Sequence, residues 1–231
     1  MTDSFPRFTP VADHALLVEF AETQDEAAHE AVLALDAALS QAPCPGLREW
    51  VPAIVNLLVD FDPRVSDHAT IRAHVERLLH RPRALSAKPR THKVGVCYEA
   101  PLAPDLDEVA RLTGLSADAV IAAHLGAEYR VTMYGFAPGY AYLAELPKAL
   151  RLDRKTAPVR GVPDGSVIIA GAQCLVTTLT MPTGWWRLGR SPARILTGDE
   201  AAPFLFDVGD RVRFTRLTLD DYSRQTEHDD G

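Results

Sequence analysis

Ten residues, Tyr134-Gly-Phe-Ala-Pro-Gly-Tyr-Ala-Tyr-Leu143, carry two glycines, one proline and four aromatic rings. Such a run cannot continue a helix. Pro138 has no backbone N–H and a fixed φ, and Gly139 admits backbone angles that other residues avoid. The segment reads as a shaped turn that displays large, stiff rings, three of them with a hydroxyl. Three further Gly/Pro signals follow it: Val162-Pro-Asp-Gly-Ser-Val167, Ala170-Gly-Ala-Gln173, and Pro182-Thr-Gly-Trp-Trp186 running into Gly189-Arg-Ser-Pro192. Between them lie short apolar stretches at 129–134, 166–170, 174–180, 185–188 and 211–218. Short strands at this spacing predict a barrel or a sandwich.

The first third has a different rhythm. A strand is predicted at 15–20, then a helix at 25–39 with Ala28, Val32, Leu35 and Leu39 on one face, stopped by Pro43, Pro45 and Gly46. A strand-rich segment follows at 47–61. Its centre, 54–59, is almost continuously apolar, which predicts burial on both faces. Ser66 is placed to cap a helix at 68–79 that carries Ile71, Val75, Leu78 and Leu79. This β-α-β-α pattern predicts an α+β N-terminal domain over 1–82. The stretch RPRALSAKPR, 81–90, is basic and proline-bearing, and a linker is placed at 83–92. A mainly β domain is expected over 93–219, opening with a strand at 93–98 and helices at 105–113 and 116–125. An acidic tail, 220–231, is expected to fray.

Composition narrows the functions. A chain of 231 residues with 47% hydrophobic and 24% charged residues is ordinary for a globular protein. A net charge of −7 argues against nucleic acid as the partner. No apolar run approaches the length of a membrane span, and no secretory signal opens the chain. Cys44, Cys97 and Cys174 are odd in number and far apart, which fits a reducing cytoplasm. The eight histidines form no HxH or HExxH, so no metal is predicted. There is no phosphate loop and no GxSxG elbow.

The Gly/Pro segments, any one of which alone would read as a tight barrel turn, together set Tyr142, Gln173, Trp185 and Arg190 beside constrained backbone. That arrangement suits a concave site with a few placed polar groups. Arg190 is suited to a carboxylate, and equally to a structural ion pair with Asp207 or Asp210. Gln173 can donate to and accept from an amide.

At these residues the chain resembles the PxpB/KipI family, the B subunits of the bacterial ATP-dependent 5-oxoprolinase, formerly called allophanate hydrolase subunit 1. The family pattern GFxPGFxYL, VPAGSV, IAGxQ, SPGGW, IGRTP and a closing GD-VRF strand appears in order at 135–143, 162–167, 169–173, 181–185, 188–192 and 209–214. Departures occur at 174–178, where the family's Thr-Gly-Ile-Tyr-Pro is replaced, and at Pro158 and Val159, with an arginine one place later at Arg160. The resemblance implies a cyclophilin-like barrel for the second domain. It implies a non-autonomous enzyme that converts a small lactam, 5-oxo-L-proline, to L-glutamate. Its partners on this reading are a homologous KipA-like protein, PxpC, and a LamB/YcsF-like protein, PxpA. ATP would be used by the complex and not bound by this chain alone. The family residues that persist, Phe136, Pro138, Gly139, Tyr142, Gln173, Trp185 and Arg190, together with Arg160, are the candidates to face substrate or partner; none is assigned as catalytic. Two alternatives come with the resemblance: a regulatory protein that inhibits a sensor histidine kinase, and half of a urea or allophanate carboxyltransferase-like system.

Overall fold

A computed structural model describes residues 5–80 and 89–229. It divides into two compact units, meeting in sequence at Pro89 and Arg90.

The first unit runs β1 (Arg7–Val11), β2 (Ala15–Glu19), α1 (Glu26–Gln41), β3 (Leu47–Pro52), β4 (Asn56–Phe61) and α2 (His68–Leu79). Its sheet has the order β1-β2-β4-β3, with every neighbour antiparallel. Leu16 and Val18 of β2 and Leu57, Val59 and Phe61 of β4 pack on Val32, Leu35 and Leu39 of α1 and on Ile71, Val75 and Leu78 of α2. Burial along β4 alternates: Leu57, Val59 and Phe61 are buried, while Asn56, Leu58 and Asp60 are only half covered. The expectation of burial on both faces therefore fails. In an antiparallel sheet with helices on one side, Leu58 belongs to the outer face despite its apolar neighbours. The sequence pattern also missed β1, and α2 is capped by Asp67 rather than Ser66, its carboxylate accepting from the Thr70 N–H at 2.8 Å.

The second unit runs β5 (Thr91–Cys97), α3 (Leu106–Thr113), α4 (Ala117–Leu125), β6 (Tyr129–Tyr134), β7 (Ala141–Ala144), β8 (Val159–Val162), β9 (Ser166–Ala170), β10 (Gln173–Val176), β11 (Met181–Thr183), β12 (Trp186–Arg190), β13 (Arg211–Leu217) and α5 (Leu219–Asp229). Seven strands close a barrel in the order β10-β7-β6-β13-β5-β12-β9, and β8 and β11 pair as a separate ribbon. Strands β13 and β5 run parallel, and the other barrel pairings are antiparallel. Gly114, at φ 71, ends α3, and Ser116 caps α4 through the Ala119 N–H. Most of the expected linker, 83–88, lies outside the described residues, and its last two positions, Thr91 and His92, already belong to β5. The acidic tail is not frayed at its start: it forms α5, whose first turn is held by Thr218 and Asp221.

The barrel interior is filled by Val94, Val96, Val131, Leu143, Val167, Ile169, Val176 and Leu188. A polar chain crosses it. His124, fully buried, shares a hydrogen bond of 2.7 Å with the Tyr98 hydroxyl through Nδ1, and its Nε2 lies 3.5 Å from the Cys174 Sγ. Burial lowers the imidazole pKa to about 3 and pushes the Tyr98 and Cys174 groups upward, so all three stay neutral near pH 7. Strand β9 is buried along its whole length. Val167 and Ile169 point into the barrel, while Ile168 and Ala170 join Leu175, Tyr140 and Trp185 in a smaller cluster on the other face. That outer cluster forms the floor of the candidate site.

Candidate functional site

The aromatic turn is built from its own backbone. The Ala137 N–H donates to the Gly135 carbonyl (2.9 Å), the Tyr140 N–H to the Ala137 carbonyl (3.1 Å) and the Gly135 N–H to the Tyr140 carbonyl (3.2 Å). The Thr178 hydroxyl donates to the Pro138 carbonyl at 2.6 Å and ties the turn to the segment after β10. Gly139 sits at φ 71, and a Cβ there would stand 2.8 Å from the Leu196 Cδ2 and 3.1 Å from the Thr178 Cγ2. Phe136 also adopts a left-handed φ, 73°, which a bulky side chain rarely takes. The residue is 75% exposed. The turn therefore holds a strained residue in order to display an aromatic group, an arrangement that concentrates at ligand sites.

Beside this turn lies a groove of about 270 Å³. Phe136, Tyr140, Tyr142 and Trp185 form its walls, Ile168 and Leu175 its floor, and Arg154 its rim. The Tyr142 and Trp185 rings meet edge to face at 6.1 Å. The Tyr140 hydroxyl donates to the Met181 Sδ at 2.7 Å, and burial pushes its pKa up to about 12. The Thr183 hydroxyl accepts from the Trp185 N–H at 3.1 Å and shapes the approach to the indole.

A polar clamp positions the rim. The Trp186 Nε1–H donates to the Asp153 carbonyl (2.8 Å), and the Lys155 N–H to the Gly184 carbonyl (2.7 Å), so the 153–155 arm lies against the start of β12. Beneath it Asp105 accepts from the Lys155 Nζ at 2.7 Å, the Arg187 N–H at 2.8 Å and the Arg187 Nε at 3.2 Å. Burial pushes the Asp105 carboxyl up, but these donors outweigh it and hold the pKa below the ordinary carboxylate range.

The structure separates the eight residues singled out by sequence. Phe136, Tyr142 and Trp185 line the groove. Pro138 and Gly139 shape the turn behind it. Arg160 is exposed on β8 and Gln173 is partly covered at the start of β10, and neither lines the groove. Arg190 lines a different hollow, of about 260 Å³, with Thr177, Ser191 and Tyr222. Its partner is Asp164, at 2.9 Å to the carbonyl and 3.3 Å to the carboxylate, not the expected Asp207 or Asp210. Those two aspartates serve Arg90 and His92 at the base of β5. Sequence reasoning missed Arg154, Tyr140 and Asp105. Tyr140 lay within the aromatic segment, but nothing local marks Arg154, which reaches Trp185 only through the fold. Among the described residues no cluster of His, Cys, Asp and Glu is placed to hold a metal ion, and no helix is long and apolar enough to cross a membrane.

Comparison with known proteins gives the chain its family. The family described as carboxyltransferase domain, subdomain C and D, matches residues 6–206. The B subunit of 5-oxoprolinase from Bacillus subtilis (strain 168) is 34% identical over 223 residues, 92% of this chain and 93% of that protein. Among solved structures, TTHA0988 is similar with a TM-score of 0.79 and 38% identity over 89% of this chain, which spans 40% of that longer one. The Kluyveromyces lactis urea carboxylase shares the fold, with a TM-score of 0.77 at 15% identity, over 96% of this chain and 23% of that one. The family match over residues 6–206 and the 34% identity to the Bacillus protein over nearly the whole chain place it in the PxpB family of 5-oxoprolinase subunits, built on the carboxyltransferase C and D subdomains.

Proposed function

We propose that the chain works as the PxpB component of an ATP-dependent 5-oxoprolinase, opening 5-oxo-L-proline to L-glutamate in the cytoplasm together with a homologous PxpC and a PxpA. The observation that carries this reading is the 34% identity across 93% of the length of a protein so named. The groove supports it. No carboxylate, histidine or cysteine is among its lining residues, so it can hold a small ligand but has no side chain to act as a general base near pH 7. A half-site of this kind needs chemistry from elsewhere, and ATP on this reading is bound and used by the assembled complex. The barrel is then of the cyclophilin-like kind. A second reading, half of a urea or allophanate carboxyltransferase-like system, draws on the fold shared with urea carboxylase.

Reconstitution separates the two. Purified chain with ATP and 5-oxo-L-proline is expected to release no glutamate, and addition of its PxpC and PxpA partners is expected to start release. An assembled complex inert on 5-oxo-L-proline but active on urea would replace the first reading with the second.

A further inference from the structure

The last helix of the barrel unit is held in place by one side chain. Of the α5 residues from Leu219 to Thr226, only Tyr222 is buried, at 8% exposure. The helix start is fixed by its own sequence. The Thr218 hydroxyl accepts from the Asp221 N–H at 3.1 Å and donates to the Asp221 carboxylate at 2.7 Å. Among the described residues, the hydrogen bonds and ion pairs of α5 stay within the helix and Thr218. Tyr222 therefore brings only its ring to the barrel, and its hydroxyl has no hydrogen-bond partner among the described residues. Burial pushes that hydroxyl's pKa above the ordinary tyrosine value, while the nearby Arg190 charge works against the rise. It stays protonated near pH 7, a donor with nothing to donate to. A buried hydroxyl in that position costs free energy until something satisfies it.

Tyr222 lines the hollow of about 260 Å³ that also holds Arg190 and Arg194. Arg190 gives two of its five N–H groups to Asp164 and keeps three. The carboxylate of that pair is mostly exposed and 3.3 Å away, so it neutralises the cation weakly. Arg194 is exposed and, among the described residues, pairs with no carboxylate. The segment Pro192 to Arg194 lines a second, open hollow of about 620 Å³ as well. Lys93 and Arg224 border that one, and no Asp or Glu is among its lining residues. Arg224 is answered by Asp221 on its own helix, and Lys93 by no described carboxylate. Cations thus gather here on a chain whose net charge is −7.

These groups select for one ligand chemistry. Two guanidiniums and a phenol are donors, and they converge from the barrel and from α5. A carboxylate brings one charge and two oxygens, too few for both arginines and the phenol. A phosphate group brings nearly two charges at neutral pH and at least three free oxygens. We propose that the hollow between the barrel and α5 binds a phosphate group, held by Arg190, Arg194 and the Tyr222 hydroxyl. The bound group supplies the polar tie between α5 and barrel that the protein alone lacks. The site shares no lining residue with the groove beside the aromatic turn and does not rest on the PxpB reading.

The test is equilibrium binding of inorganic phosphate, glycerol 3-phosphate and acetate to the full chain, with amide hydrogen exchange of α5 read alongside. Phosphate is expected to bind and acetate to bind at least tenfold more weakly. Tyr222→Phe keeps the ring that docks the helix and should weaken phosphate about fivefold, and Arg194→Gln about tenfold. Asp164→Asn removes the competing carboxylate and should tighten it. Thermal midpoints of Tyr222→Phe and Arg194→Gln without ligand should match the parent, because one loses an unpaired hydroxyl and the other an exposed side chain. Saturating phosphate should slow exchange of the α5 amides at least fivefold in the parent and not in Tyr222→Phe. Tighter binding of glycerol 3-phosphate than of phosphate would assign the site to an ester whose body lies in the adjoining hollow; the reverse order would assign it to the free ion. Absence of phosphate binding, parent affinity in Tyr222→Phe, or α5 exchange indifferent to phosphate would overturn the site.

Discussion

Asp105→Ala is expected to destabilise the barrel unit by about 3–5 kcal/mol, the range for removing one partner of a buried charge cluster. The side chain of Asp105 is 12% exposed and those of its partners Lys155 and Arg187 are 13% and 20% exposed. Its removal leaves two cations with little water and no counter-charge, and leaves the Arg187 N–H without its acceptor. Asp105 also joins three segments distant in sequence: the start of α3, the 153–155 arm and β12. Chemical denaturation should show a lower midpoint with little change in slope. Asp105→Asn keeps an acceptor for the Arg187 N–H and should lose less. Because the carboxyl is held below its ordinary pKa, its contribution is fully present above about pH 4 and fades as pH falls through the folded value. A loss within about 1 kcal/mol for Asp105→Ala would mean that the cluster gains no more than its desolvation costs.

The second large effect is acid lability set by His124. Burial lowers its folded pKa to about 3, whereas in the unfolded chain it titrates near 6.5. Between these values the unfolded state holds one more proton than the folded state, so stability falls as pH falls. The slope is roughly 1.4 kcal/mol per pH unit for one proton, or on the order of 3 kcal/mol between pH 6.5 and pH 4. Tyr98 and Cys174, which face the imidazole, add no charge in this window because burial pushes both pKa values upward. The aspartates with lowered pKa values, Asp105 and Asp210 among them, act below about pH 4, whereas burial pushes the Asp36 carboxyl up and sets it against the histidine, so the difference between parent and variant isolates His124. Urea melts from pH 7 to pH 4 should give this slope for the parent. For His124→Gln the slope should be flatter by about one proton, with lower stability at pH 7 from the disturbed hydrogen bonds. Parallel slopes would show that His124 is protonated in the folded barrel.

The two halves of the fold were unequally legible. Helices α1 and α2 could be read from apolar spacing, because an amphipathic helix records its buried face locally, and the start of α4 from its Ser116 cap. Most strands of the barrel could be read from Gly and Pro, but β7 could not, because it begins inside the segment read as an aromatic turn. Strand β1 could not: RFTPV is mostly exposed and holds a proline, so its edge position comes from pairing with β2. The outer face of β4 misled because Leu58 is apolar yet only half covered. For the groove, the sequence pointed to Phe136, Tyr142 and Trp185, which carry turn chemistry with them, and wrongly added Arg190, which lies in another hollow and is paired with Asp164. Arg154 was invisible for a physical reason. Its place at the rim depends on which of two adjacent cations finds a carboxylate, and Asp105 lies 50 positions from Lys155 in the chain.

On the proposed function, the groove beside the aromatic turn is the part of this chain that meets the substrate of the assembled complex. This is tested most directly by a crystal structure of the chain assembled with its PxpC partner in the presence of 5-oxo-L-proline. The expected result is ligand density in the groove, against Phe136 and Tyr142. Ligand bound elsewhere with this groove empty, or the groove filled by side chains of PxpC, would contradict the account.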